Sequence, residues 1–102
     1  MVREIEAQRV AVEALCRRFQ VRRLELFGSA SGERFDPASS DIDFLVEFED
    51  PPEGGYAEAY FGLAESLKEL LHRDVDLVVL SAVKNRYFLE TIEQSRTLLY
   101  AA

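Results

Sequence analysis

The stretch from residue 41 to residue 48, DIDFLVEF, constrains the fold more than any other part of the chain. Successive side chains of a β-strand point to opposite sides, so this stretch predicts a strand with two unlike faces. The apolar face should be buried and consists of Ile42, Phe44, Val46 and Phe48. The opposite face begins with Asp41 and Asp43, which are poor strand residues by propensity. The strand is therefore expected to carry core residues on one side and a pair of carboxylates on the other.

Apolar periodicity predicts a regular order of helices and strands in the rest of the chain. Helices are expected over residues 3–19, 56–73 and 85–102, the last one opened by Asn85 as N-cap. Strands are expected over residues 21–27, 41–48 and 74–80. The order α-β-β-α-β-α predicts a small α/β (α+β) fold, with one short sheet covered by helices. A chain of 102 residues can bury one core, which predicts a single domain over residues 1–102.

Composition excludes several classes of protein. A formal net charge of -7 argues against unaided binding to nucleic acid, because that affinity depends on lysine and arginine. The apolar runs are shorter than a membrane-spanning helix needs, and the charged N-terminal stretch does not resemble a signal peptide, so we expect a cytoplasmic protein without membrane contact. The lone Cys16 excludes an internal disulfide and is expected to pack in the core.

The two aspartates of DIDFLVEF indicate a metal site. Asp41 and Asp43 project from the same side of the strand with Cα atoms about 6.5 to 7 Å apart, and their charges repel. A hard cation such as Mg²⁺ would relieve that repulsion. Asp76 holds the same register in the strand over residues 74–80, so three carboxylates meet if the two strands are neighbours. Three aspartates can hold two divalent ions about 3.5 to 4 Å apart and activate an attacking oxygen.

A Gly-Ser pair follows the first predicted strand. Gly28 has no side chain to block a phosphate, and Ser29 offers a hydroxyl group, so the pair could bind the phosphates of a nucleotide. Taken alone, Gly-Ser is more often a simple turn, and Asp-x-Asp also occurs in surface acid clusters, calcium sites and phosphatases. The combined order of strand, Gly-Ser, loop, Asp-x-Asp strand and later Asp strand is more specific.

These motifs resemble the minimal nucleotidyltransferases of the DNA polymerase β superfamily. The resemblance covers nearly the whole chain and implies a nucleotidyltransferase fold with a short mixed sheet of three to four strands. It implies that Gly28 and Ser29 bind the nucleotide phosphates and that Asp41, Asp43 and Asp76 are the catalytic metal ligands. Asp76 would also assist deprotonation of the acceptor hydroxyl. The implied cofactor is Mg²⁺, as two ions, with ATP as substrate.

The resemblance also implies a partner. Proteins of this kind are typically antitoxins that transfer AMP from ATP to a tyrosine of a HEPN-family toxin, an RNA-cutting enzyme. Two departures stand out: the spacer after Ser29 has eleven residues, one more than usual, and the arginine often found shortly after the Gly-Ser pair is absent, since the first basic residue of the spacer is Arg34. An alternative is therefore a weakly active or inactive binding module that neutralises the toxin by contact. A transferase that modifies antibiotics is disfavoured because no acceptor domain is present. The nucleotide preference, the acceptor and homo-oligomerisation stay open.

Overall fold

A computed structural model describes residues 3–27, 42–49 and 54–102. The helices are α1 (Arg3–Ala7), α2 (Arg9–Arg18), α3 (Tyr56–Leu71) and α4 (Arg86–Glu93). The strands are β1 (Val21–Phe27), β2 (Ile42–Phe48), β3 (Val75–Val79) and β4 (Thr97–Ala101), and a 3₁₀ turn spans Leu80–Ala82. In the part of the chain that these ranges cover, no helix is long and apolar enough to cross a membrane.

The strands form one mixed sheet in the order β3-β2-β1-β4. The inner strand β1 is antiparallel to both of its neighbours, β2 and β4, whereas the other inner strand, β2, runs parallel to β3. A parallel pair needs a crossover between its strands, and α3 provides it. The predicted α/β fold with a short mixed sheet is confirmed, and the three predicted strands lie within one residue of their expected bounds.

The two faces of the sheet have different roles. One face packs against α1, α2 and α3 and forms the main core, to which Leu24, Leu26, Phe44, Val46 and Leu77 contribute. We call the opposite side the carboxylate face, which carries Asp43, Leu45, Asp76 and Val78. A smaller cluster covers part of it, where Ile92 of α4 packs on Phe27 and Leu45. The predicted apolar face is buried over the described residues 42–48, and Leu45 on the opposite face is buried as well because Ile92 packs on it.

Close packing explains why Cys16 and Gly62 stand at their positions. Cys16 is fully buried in the main core, as predicted, and burial raises the pKa of its thiol to about 12. Gly62 lies in α3 where a Cβ atom would stand 2.5 Å from Cε1 of Phe19. Glycine at this position therefore lets α3 approach the ring that ends α2.

Two sequence predictions about helices were wrong. The first helix does not run unbroken over residues 3–19, because it is interrupted at Gln8 into α1 and α2. The last helix ends at Glu93, and residues 97–101 form β4 instead. Without β4, the second side of β1 would expose unpaired backbone groups, and pairing with Thr97–Ala101 satisfies them. The prediction that Asn85 is the N-cap of α4 is confirmed. Its side chain accepts hydrogen bonds from the backbone amides of Tyr87 and Phe88.

Candidate active site

Asp43 and Asp76 lie side by side on the carboxylate face. They are Cα partners in the parallel ladder of β2 and β3. Neighbouring strands of a sheet are about 4.8 Å apart, and paired residues project on the same side. Asp43 is half-buried, whereas Asp76 is exposed. The fold therefore brings together two of the three aspartates that the sequence singled out.

The surroundings of Asp76 fit a hard divalent cation. Among the residues that the structure describes, the side chain of Asp76 has neither a hydrogen bond nor an ion pair. Asp74, two residues earlier, differs because its carboxylate lies 3.2 Å from Nζ of Lys68. Two adjacent carboxylates repel each other, and oxygen donors of this kind are what Mg²⁺ binds. The donor set that Asp43 and Asp76 present therefore suits a magnesium ion.

The other predicted site residues, Gly28, Ser29 and Asp41, lie outside the described residues, and so does Arg34. Phe27, which directly precedes Gly28, is the Cα partner of Asp43 in the antiparallel ladder of β1 and β2. The end of β1 that leads into the Gly-Ser pair is thus next to Asp43. Within residues 3–27, 42–49 and 54–102, no group of three His, Cys, Asp or Glu residues is arranged to hold a metal.

A buried carboxylate on β1 was missed by sequence reasoning. Glu25 is only 4% exposed and accepts two hydrogen bonds from Arg96, at 3.0 Å to Oε2 and 2.6 Å to Oε1. Nε of Arg23 lies 2.9 Å from the same Oε1, and Arg96 also pairs with Glu93. The hydrogen bond from Arg96 lowers the pKa of Glu25, although burial opposes this shift. The only sequence signal was an acidic residue between Leu24 and Leu26, with nothing to indicate its distant partner.

A separate groove of about 570 Å³ lies at the far end of the strands. Its walls include Phe48 and Val79, the last residues of β2 and β3, together with Tyr60 of α3. Asp43 and Asp76 are near the first residues of the same strands. The groove is therefore distinct from the paired carboxylates, whose chemistry makes them the stronger candidate for a reaction centre.

Comparison with known families decides between the classes of protein that could carry such a pair. The family model described as "Nucleotidyltransferase domain" matches residues 9–99, which include all four strands up to Leu99. The chain belongs to the nucleotidyltransferase domain family. As a nucleotidyltransferase, it has the carboxylates of β2 and β3 on the sheet face that α4 leaves partly open.

Similar proteins extend this assignment. A Methanocaldococcus jannaschii protein named "Putative protein adenylyltransferase MJ0128" is 40% identical over 78 residues, covering 76% of this chain and 74% of that protein. A solved structure of a "putative minimal nucleotidyltransferase" has a TM-score of 0.71 at 32% identity and covers 91% of this chain and 90% of its own.

The same fold occurs in a toxin-antitoxin complex. A chain of the complex described as "tri-AMPylated Shewanella oneidensis HEPN toxin in complex with MNT antitoxin" has a TM-score of 0.66. It is 24% identical, and the match covers 95% of this nucleotidyltransferase and 72% of that chain. At this identity the likeness establishes the shared fold. The predicted minimal nucleotidyltransferase fold is thus confirmed.

Proposed function

We propose that this nucleotidyltransferase is a Mg²⁺-dependent protein adenylyltransferase that transfers AMP from ATP to a hydroxyl group of a HEPN-family toxin and so acts as its antitoxin. The observation that carries the proposal is the pairing of Asp43 with Asp76 on one face of the sheet. The names of similar proteins support the finer assignment, since one is named for protein adenylylation and another is solved with an AMPylated HEPN toxin.

Each site residue has a role in this proposal. Asp41, Asp43 and Asp76 hold the metal, while Gly28 and Ser29 orient the phosphates of ATP. Bound Mg²⁺ would neutralise charge on the phosphates and on the departing pyrophosphate. The acceptor oxygen attacks the α-phosphorus, the bond from that phosphorus to the bridging oxygen breaks, and pyrophosphate leaves. Asp76, exposed and without a protein partner among the described residues, is available to take the proton of the acceptor hydroxyl.

Charge supports a protein acceptor. The chain carries a formal net charge of -7, which would attract a partner with a basic surface, as an enzyme that cuts RNA must have. Such attraction raises the association rate and weakens as salt is added. The association of this chain with the toxin should therefore become slower at high ionic strength.

The test is transfer of labelled AMP to the proposed partner, a HEPN-family toxin. Intact protein with α-labelled ATP and Mg²⁺ should label the toxin and suppress its RNA cleavage, whereas Asp43→Asn should do neither at a comparable rate. Asp74→Asn is the matched control, because Asp74 is already paired with Lys68 and should keep activity. Suppression of cleavage without any label would contradict the proposed enzymatic activity and support neutralisation by contact. The absence of a basic residue between Ser29 and Arg34 favours that alternative.

A further inference from the structure

Helix α4 forms a wall beside the paired carboxylates. It packs on the carboxylate face through Ile92, which is fully buried against Phe27 and Leu45. Leu45 follows Asp43 by two residues on the same face of β2. Residues of α4 that lie near Phe27 are consequently close to the catalytic end of the sheet.

Phe88 is the residue of α4 that contacts Phe27. Their ring centroids are 6.0 Å apart and their planes meet at 86°, which is an edge-to-face contact. Phe27 is 7% exposed, whereas Phe88 remains 39% exposed. The buried ring thus fixes the orientation of Phe88, while part of the Phe88 ring remains accessible to a ligand.

The Phe88 ring lies close to the carboxylates beside which a nucleotide would bind. Phe27 is the Cα partner of Asp43, so Phe88 is separated from the metal-binding carboxylates by a single ring. A nucleoside triphosphate whose phosphates were held beside Asp43 and Asp76 through Mg²⁺ would place its base a short distance from these carboxylates. An exposed aromatic ring at that distance is a suitable contact for a base, because every base has a π-face that stacks on aromatic side chains.

We propose that Phe88 is a nucleotide-positioning residue whose ring stacks on the base of the bound nucleoside triphosphate. The inference rests on the proposed function, because it takes ATP as the nucleotide that binds beside the carboxylates through Mg²⁺. Stacking tolerates different bases and increases with ring area, so this contact should favour ATP and GTP over CTP and UTP. Discrimination between ATP and GTP would have to come from hydrogen bonds made elsewhere.

The test compares ATP with inorganic triphosphate, which lacks a base. Equilibrium binding of each to the full chain with Mg²⁺, without toxin, is measured for the wild type and for Phe88→Leu, which keeps an apolar side chain against Phe27. Loss of one stacked base should weaken ATP binding between about fivefold and about a hundredfold, and should leave triphosphate binding unchanged. Phe88→Tyr should restore ATP binding. Tyr87→Leu is the matched control, since it removes an adjacent ring that is 78% exposed.

Three results would overturn the inference while leaving the proposed function intact. Phe88→Leu could bind ATP as tightly as the wild type does, or it could lose ATP and triphosphate equally, which would indicate a disturbed site and no contact with the base. An equal loss from Tyr87→Leu would also contradict a specific role for Phe88. Wild-type protein that binds neither ATP nor triphosphate would refute the proposed function itself.

Discussion

Replacing Arg96 by methionine should destabilise the fold strongly, because it would leave the buried Glu25 without its main partner. Arg96 supplies two hydrogen bonds to a carboxylate that is 4% exposed. Breaking a buried ion pair typically costs about 3 to 5 kcal/mol. The Nε of Arg23 remains 2.9 Å from Glu25, so we expect the smaller loss of about 2 to 3 kcal/mol. That is a large share of the roughly 5 to 15 kcal/mol that stabilises a small domain.

Urea denaturation followed by circular dichroism measures this loss. With an m-value of about 1.5 kcal/mol per molar, the midpoint for Arg96→Met should fall by about 1.3 to 2 M at pH 7. Arg23→Met is the matched control, since the Arg23 side chain is 47% exposed and its removal should cost about 1 kcal/mol or less. The double variant Glu25→Met with Arg96→Met should recover much of the loss, because no buried charge then lacks a partner.

The pH dependence follows from the lowered pKa of Glu25. Its ordinary value is 4.5, and Arg96 lowers it in the folded protein. A carboxyl group with a depressed folded pKa contributes stability above its unfolded pKa and loses that contribution as pH falls through the folded value. The difference in free energy of unfolding between the wild type and Arg96→Met should therefore have its full value near pH 7. It should become smaller as the pH falls below about 4.5. If Arg96→Met lowers the free energy of unfolding by less than about 0.5 kcal/mol at pH 7, or if the loss does not become smaller in acid, Arg96 does not stabilise the fold through the ionised Glu25.

Three further changes test the local packing by the same denaturation assay. Gly62→Ala should destabilise the protein by about 1 kcal/mol, because the strain of a Cβ atom 2.5 Å from the Phe19 ring outweighs the better helix propensity; Gly62→Ala in a Phe19→Leu background should lose that penalty. Asn85→Ala should cost about 1 kcal/mol by removing the N-cap of α4, whereas Asn85→Asp should keep stability. His72→Gly should stabilise by up to about 1 kcal/mol, since His72 ends α3 with a φ of 54°; no gain would contradict strain there.

The strands could be predicted because their signal is local. In β2 the polar residues Asp43 and Glu47 lie on the face opposite to Ile42, Phe44, Val46 and Phe48, and this period-two pattern needs no knowledge of the partner strand. That alternation also fixed the face of Asp76 on β3. The distance between Asp43 and Asp76 was conditional on strand order, which local patterns do not determine.

The features that could not be predicted depend on distant pairing. In the sequence, Thr97–Ala101 contains no turn residue and follows the helical pattern before it, so local patterns predict a longer helix. The segment forms a strand because β1 offers an unpaired side. Glu25 and Arg96 are 71 positions apart and meet as a result of that pairing. The contact of Phe88 with Phe27 likewise depends on how α4 crosses the sheet.

Mn²⁺ binding followed by electron paramagnetic resonance tests whether Asp76 and Asp43 belong to one metal site. Mn²⁺ prefers oxygen ligands as Mg²⁺ does and can be titrated into the wild type, Asp76→Asn and Asp74→Asn in the presence of ATP. Loss of a carboxylate ligand should weaken binding in Asp76→Asn by at least about tenfold, while Asp74→Asn should bind as the wild type does. Equal Mn²⁺ affinity in all three proteins would show that Asp76 is not a ligand of the metal.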